Sequence, residues 1–137
     1  MMRKLDQRGV AALEFCLVGG FLFTLMFAIF DFGRYAITMQ SLRMLANASA
    51  RANMINCYTP AVILNTSPSS CTGDYLSVAQ KQAAAPFLYR AGLTPTVSTA
   101  SGTGVLTVTA SQPGFTMLVP VWGTAFNAPS ASTSIPF

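Results

Sequence analysis

Histidine is absent from this sequence, and acidic residues are scarce. The 137 residues include only four acids, namely Asp6, Glu14, Asp31 and Asp74. Most catalytic triads, most zinc sites and the usual general base need histidine, and no pair of carboxylates suited to hydrolysis is evident. Ser77 and Lys81 lie four residues apart, but an exposed serine and lysine on a solvated helix face explain this spacing better than a nucleophile pair. We therefore expect no enzyme, no catalytic residue, no metal and no cofactor.

Charge of either sign is sparse, at 9% of residues, which excludes a disordered chain. The basic residues are scattered along the sequence, at positions 3, 4, 8, 34, 43, 51, 81 and 90. A surface that follows nucleic-acid phosphates needs clustered lysine and arginine. We therefore expect no nucleic-acid partner.

What the sequence does contain is a long apolar run. Residues 9–30 read GVAALEFCLVGGFLFTLMFAIF, and Glu14 is the only charged residue among them. A helix of this length crosses a hydrocarbon layer of about 30 Å, so we predict a single transmembrane helix over residues 10–30, surrounded by membrane lipid. Residues 1–9 form a short basic leader. Gly19 and Gly20 leave open a bend, a close-packing spot or a tolerated small pair.

The next section, residues 31–52, is amphipathic. One helical stripe steps by three and four residues through Phe32, Tyr35, Met39, Leu42, Ala46 and Ser49. No proline separates this section from the apolar run, so we predict one continuous helix whose second half projects beyond the bilayer.

Residues 53–137 are predicted to form a small head. Residues 53–74 have the composition of a loop, and Asp74 is a candidate N-cap for a helix to about residue 85. Residues 96–99, 105–111 and 130–135 have strand composition, with residues 115–119 as a fourth candidate. We expect a short antiparallel sheet packed on the projecting helix, which makes the fold class α+β.

Three cysteines are present. Cys16 lies inside the apolar run, where a free thiol is a small hydrophobe. Cys57 and Cys71 flank a segment rich in polar residues and proline, and their spacing does not fit a metal knuckle. A disulfide between them is favoured over two free thiols, and it requires an oxidising compartment. The head is therefore expected outside the cytoplasm.

The sequence around the start of the apolar run resembles a known family. Residues 8–15 read RGVAALEF, so a cut after Gly9 would place Glu14 fifth and Phe15 sixth in the mature chain. This pattern is similar to prepilin-peptidase substrates and resembles the TadE-like pseudopilins of the tight-adherence (Tad/Flp) pilus system. Residues 31–34, DFGR, and 47–52, NASARA, also fit the family, so the resemblance covers about residues 8–52. A proline that is common near Gly20 in the family is missing here.

The resemblance implies a type IV pilin-like minor pilin or pseudopilin that acts in pilus biogenesis and surface adhesion. Gly9 and Val10 would form the cleavage site, and Glu14 with Phe15 the assembly and recognition element. Implied partners are the prepilin peptidase, other Tad pilins and inner-membrane assembly proteins. The implied location is the bacterial inner membrane, single-pass, with a cytoplasmic N-terminus. Two alternatives stay open, an uncleaved accessory or sensor protein and a secreted or periplasmic enzyme.

Overall fold

One long helix runs through the N-terminal part of the chain. The computed structural model describes residues 7–119 and 122–137, so most of the predicted leader lies outside the described part. Helix α1 covers Gln7–Asn53, 47 residues, which is about 70 Å at 1.5 Å per residue. The apolar run and the amphipathic section are therefore one helix, and neither Gly19 nor Gly20 interrupts it.

The chain stays helical beyond the predicted end. A wide π turn, Met54–Tyr58, leads into helix α2, Thr59–Ile63. The prediction of a loop from residue 53 is thus wrong for these residues. Pro60 lacks an N–H and its ring crowds the carbonyl four residues earlier, which normally ends a helix. Here the wide turn just before it, in which the Thr59 N–H bonds to the Met54 oxygen, makes room for the ring.

The second half of the predicted loop is irregular, and the next helix starts later than predicted. A short 3-10 turn covers Pro68–Ser70, helix α3 covers Val78–Ala84, and another 3-10 segment covers Pro86–Gly92. Asp74 is not the N-cap of α3. Ser77 is the cap, because its Oγ accepts the Gln80 N–H while Gln80 Oε1 accepts the Ser77 N–H. Asp74 cannot form such a reciprocal pair, because no glutamate or glutamine stands three residues after it.

A three-stranded antiparallel sheet completes the head. Its strands are β1, Thr96–Gly102, β2, Val105–Ser111, and β3, Ser130–Pro136, in the order β1-β2-β3. Gly102 pairs with Val105 across a two-residue turn, and the second turn residue, Gly104, has a φ of 69° that favours glycine. The three predicted strands are present, whereas residues 115–119 form no strand.

The core lies between the sheet and the projecting part of α1. Along β2, Leu106, Val108 and Ala110 point inward and are fully buried. They belong to two adjoining clusters that also contain Leu42, Leu45, Ala46, Ala50, Cys71, Ala85, Leu88 and Ile135. The predicted α+β class is confirmed. It places a compact head on the second half of a helix in which no residue between positions 9 and 30 is buried.

Candidate functional site

The first half of α1 is an apolar surface that the rest of the chain leaves uncovered. No residue between positions 9 and 30 is buried, and Phe15 and Phe21 are 77% and 73% exposed. Within the described residues one helix, Gly9–Ile63, has a stretch long and apolar enough to cross a membrane, and none of that stretch is buried in the head. A helix that is apolar all round needs an apolar environment, which indicates a membrane anchor.

The predicted cleavage and recognition residues lie together at the start of this surface. Gly9, Val10, Glu14 and Phe15 all belong to α1, and Glu14 is exposed. Val10 and Glu14 are four residues apart, so they share one helix face and differ by about 6 Å along the axis. A side chain added at Gly9 would meet no other atom of the described chain within 4 Å. The fold therefore places no demand of its own on a glycine at position 9.

A buried carboxylate marks the point where the exposed surface ends and the head begins. Asp31 is 1% exposed, and its Oδ2 accepts the N–H groups of Leu118 and Val119 at 2.8 and 3.0 Å. Its Oδ1 accepts a hydrogen bond from Arg34 Nη1 at 3.3 Å. Hydrogen bonds to an ionised acceptor are among the stronger ones in proteins. Asp31 thus fixes a distant loop of the head to the last turn of the apolar segment.

Aromatic side chains surround this junction. Trp122 and Phe126 lie edge-on to Phe32 at centroid distances of 5.3 and 5.6 Å, and Phe126 also lies 5.2 Å from Tyr35. Phe115 lies 6.2 Å from Tyr35. Edge-to-face pairs at such distances stabilise beyond their buried area. The indole N–H of Trp122 is buried without an acceptor among the described residues.

Sequence reasoning missed this junction. Asp31 stands 87 and 88 residues before its two backbone donors, and no local pattern links such distant positions. The only cue in the sequence is an acid that directly follows an apolar run, combined with aromatic residues concentrated at positions 115–126. Neither cue shows that the two segments meet.

At the other end of the head, the structure joins Cys57 to Cys71 by a disulfide, with the two Cα atoms 5.7 Å apart. Cys71 is fully buried, and its carbonyl accepts a hydrogen bond of 2.7 Å from Asn53 Nδ2. The bridge and this bond hold the irregular segment against the end of α1. Cys16 is a free, exposed cysteine on the apolar segment.

The spacing of Ser77 and Lys81 does not produce a nucleophile pair. Ser77 Oγ is used as the cap of α3, and Lys81 is ion-paired with Asp74. Burial raises the pKa of the nearby Tyr89 phenol, and the Lys81 charge opposes that shift, so the phenol is protonated at neutral pH. Across residues 7–119 and 122–137, no group of three or more potential metal-ligating side chains is found.

Comparison with known proteins gives a match only within the long helix α1. A family model described as TadE-like protein matches residues 9–51, so the resemblance predicted from the sequence is confirmed there. No curated protein and no solved structure matches the chain. The match covers the exposed apolar segment and most of the part of α1 that packs on the head. The match supports an association of this protein with the Tad pilus and with other components of that pilus.

Proposed function

We propose that the chain is a TadE-like minor pilin or pseudopilin that a prepilin peptidase cleaves between Gly9 and Val10. The mature protein then acts in Tad pilus assembly and in adhesion to surfaces. The observation that carries this proposal is the TadE-like segment, residues 9–51, whose apolar half is left uncovered by the head and holds a single acid, Glu14. Such a surface suits a bundle formed with other pilin helices.

Cleavage supplies a partner for Glu14. Cutting after Gly9 creates an α-amine on Val10, which is largely cationic at neutral pH. An isolated carboxylate inside an apolar helix bundle is unfavourable, and an amine from a neighbouring subunit neutralises it. Since Glu14 lies about 6 Å further along the helix than Val10, this pair sets a small axial offset between adjacent subunits. Phe15, next to Glu14, provides apolar contact at the same level.

The proposed orientation places the N-terminus in the cytoplasm and the head outside, anchored in the inner membrane through residues 10–30. Its support is the Cys57–Cys71 disulfide, because such bonds persist in oxidising compartments. Residues 31–52 then form the part of the helix that carries the head, and residues 53–137 complete that head. No reaction is proposed for the protein itself.

One observation favours the alternative of an uncleaved anchor. Helix α1 already includes Gln7, the first described residue, so the bond between Gly9 and Val10 lies within the helix. The Gly9 carbonyl is then engaged in helical hydrogen bonding, and a peptidase must unwind this part of the helix to reach it. Maturation and assembly therefore have to be tested separately.

The test is Glu14→Gln, which keeps the shape of the side chain and removes its charge. We expect the variant to be cleaved and kept in the membrane, but to lose crosslinks to other pilins and to fail in pilus formation. Leaving the Val10 amine of a neighbour buried and unpaired costs about 3 to 5 kcal/mol per contact, against about 1.4 kcal/mol for a tenfold loss of association.

A matched control is Asp74→Asn, which removes the same charge from an exposed ion pair in the head. Such pairs contribute about 0 to 1 kcal/mol, so this variant should still crosslink and assemble. If Glu14→Gln is cleaved and then crosslinks and forms pili like the unmodified protein, its charge has no role in assembly. That result would overturn the proposed pairing of Glu14 with the Val10 amine, whereas cleavage after Gly9 would stand.

A further inference from the structure

One loop of the head lies at the same level as the end of the apolar segment. We call it the junction loop and define it by its described residues, 115–119 and 122–128. Asp31 directly follows the last apolar residue, Phe30, and accepts the backbone N–H groups of Leu118 and Val119. The loop is therefore within hydrogen-bond distance of the point where the helix leaves an apolar environment.

The junction loop carries side chains suited to a lipid surface. Leu118 is 74% exposed although its backbone is fixed by Asp31. Beside it, Trp122 and Phe126 pack on Phe32 in the first turn after the apolar segment. Tryptophan and other amphipathic aromatic side chains are enriched at the boundary between lipid headgroups and acyl chains.

The charged side chains near the junction loop are also suited to a lipid surface. Arg34 lies 5.4 Å from the centroid of the Phe115 ring, and it lines a cavity of about 170 Å³ together with Arg90. Of the three acids in the described chain, Glu14 lies within the apolar segment, Asp31 is buried and hydrogen-bonded, and Asp74 is ion-paired with Lys81. Arg34 is ion-paired with the buried Asp31, but 40% of its side chain is exposed, and Arg90 is exposed as well. Both guanidinium groups therefore remain accessible to anionic lipid headgroups.

We propose that the junction loop is a second membrane contact, which lies in the interface rather than across the bilayer. Leu118 enters the boundary of the acyl chains, Trp122 and Phe126 lie at headgroup depth, and Arg34 and Arg90 face lipid phosphates. This inference rests on the proposed anchoring of residues 10–30 in the membrane. Its consequence is that the head is held at a fixed height and rotation above the bilayer instead of pivoting on α1.

The chain contains a single tryptophan, so its emission reports on Trp122 alone. The experiment places the full chain in vesicles of phosphatidylcholine and phosphatidylglycerol with bromine atoms at either shallow or deep positions of the acyl chains. Bromine quenches a nearby indole. We expect shallow bromines to quench Trp122 more strongly than deep ones, and Leu118→Asp to reduce that quenching while the disulfide remains intact.

Two further variants, both made with Trp122→Phe, calibrate the depth. Phe23→Trp places the indole within the apolar segment and should be quenched most by deep bromines. Phe137→Trp places it next to Gly104, at the far end of the head, where Pro136 accepts a hydrogen bond from Tyr58. Tyr58 lies about 40 Å further along the helical segment than Asp31, so this indole should not be quenched.

The outcomes separate the inference from its premise. Absence of quenching for Phe23→Trp would show that residues 10–30 are not anchored in lipid, which would remove the premise as well as the inference. Deep quenching of Phe23→Trp together with Trp122 quenched no more than Phe137→Trp would overturn the inference alone.

Discussion

At the scale of single residues, the two acids of α1 lie in opposite surroundings. Asp31 is buried, and three donors satisfy it, which gives it a structural role at the junction with the head. Glu14 is exposed on a surface that is otherwise apolar. A carboxylate kept at such a position is costly in lipid, so its presence is best explained by a partner outside this chain.

Gly9 gives the residue-scale prediction. We expect Gly9→Leu to block maturation, because a bulky side chain should not fit a peptidase site that accepts glycine. The fold itself has open space there, so the substitution should not disturb the helix. An immunoblot of membranes should show only the full-length form.

Gly20→Leu is the matched control for this experiment. A side chain at Gly20 likewise meets no atom of the described chain within 4 Å, but the site lies well inside the apolar segment. This variant should be converted to the shorter form. Normal conversion of Gly9→Leu would contradict the proposed cleavage site.

Single residues also show which features can be inferred from the sequence and which cannot. The role proposed for Glu14 rests on its place in an apolar run, which is a local feature of the sequence. The contacts of Asp31 depend on a loop almost ninety residues away and could not be inferred from periodicity. Asp74 was an acceptable N-cap by residue type, but Ser77 has a glutamine three residues later and forms the better cap.

At the scale of elements, local sequence patterns predicted the regular helices and strands but not the places where the structure departs from those patterns. Strand β2 has the bounds expected from its alternation, because alternate residues face the core. The helix continues past residue 52 because a π turn accommodates Pro60, and proline in a sequence is normally read as a helix end. Residues 115–119 resembled a strand in composition, yet Asp31 takes two of their N–H groups.

The disulfide gives the prediction at this scale. We expect thiol labelling of the denatured, unreduced protein to modify one cysteine per chain, namely Cys16. In the chain-entropy model, the Cys57–Cys71 bridge stabilises the folded state by about 3 kcal/mol. Reduction should therefore also lower the midpoint of thermal unfolding. Cys16→Ser should leave no cysteine to label. Modification of all three cysteines would contradict the bridge and weaken the proposed orientation.

At the scale of the whole molecule, the chain divides its surface between two environments. The first half of α1 is exposed and apolar, while the second half holds the core of the head through residues such as Leu42 and Leu45. The α+β class and the long helix could be predicted because periodicity and composition determine them. The junction between head and helix could not, because tertiary packing alone brings its parts together.

The central proposal is that this chain, which matches the TadE-like family model over residues 9–51, is a processed pilin subunit rather than a permanent anchor. The N-terminus of the protein recovered from membranes tests this proposal most directly. Mass spectrometry of the N-terminal peptide should find a mature chain that starts at Val10 with a free α-amine. The same preparation from cells without prepilin peptidase should retain the residues before Val10. A peptidase-containing strain whose protein still carries Gly9 and the leader would contradict the account.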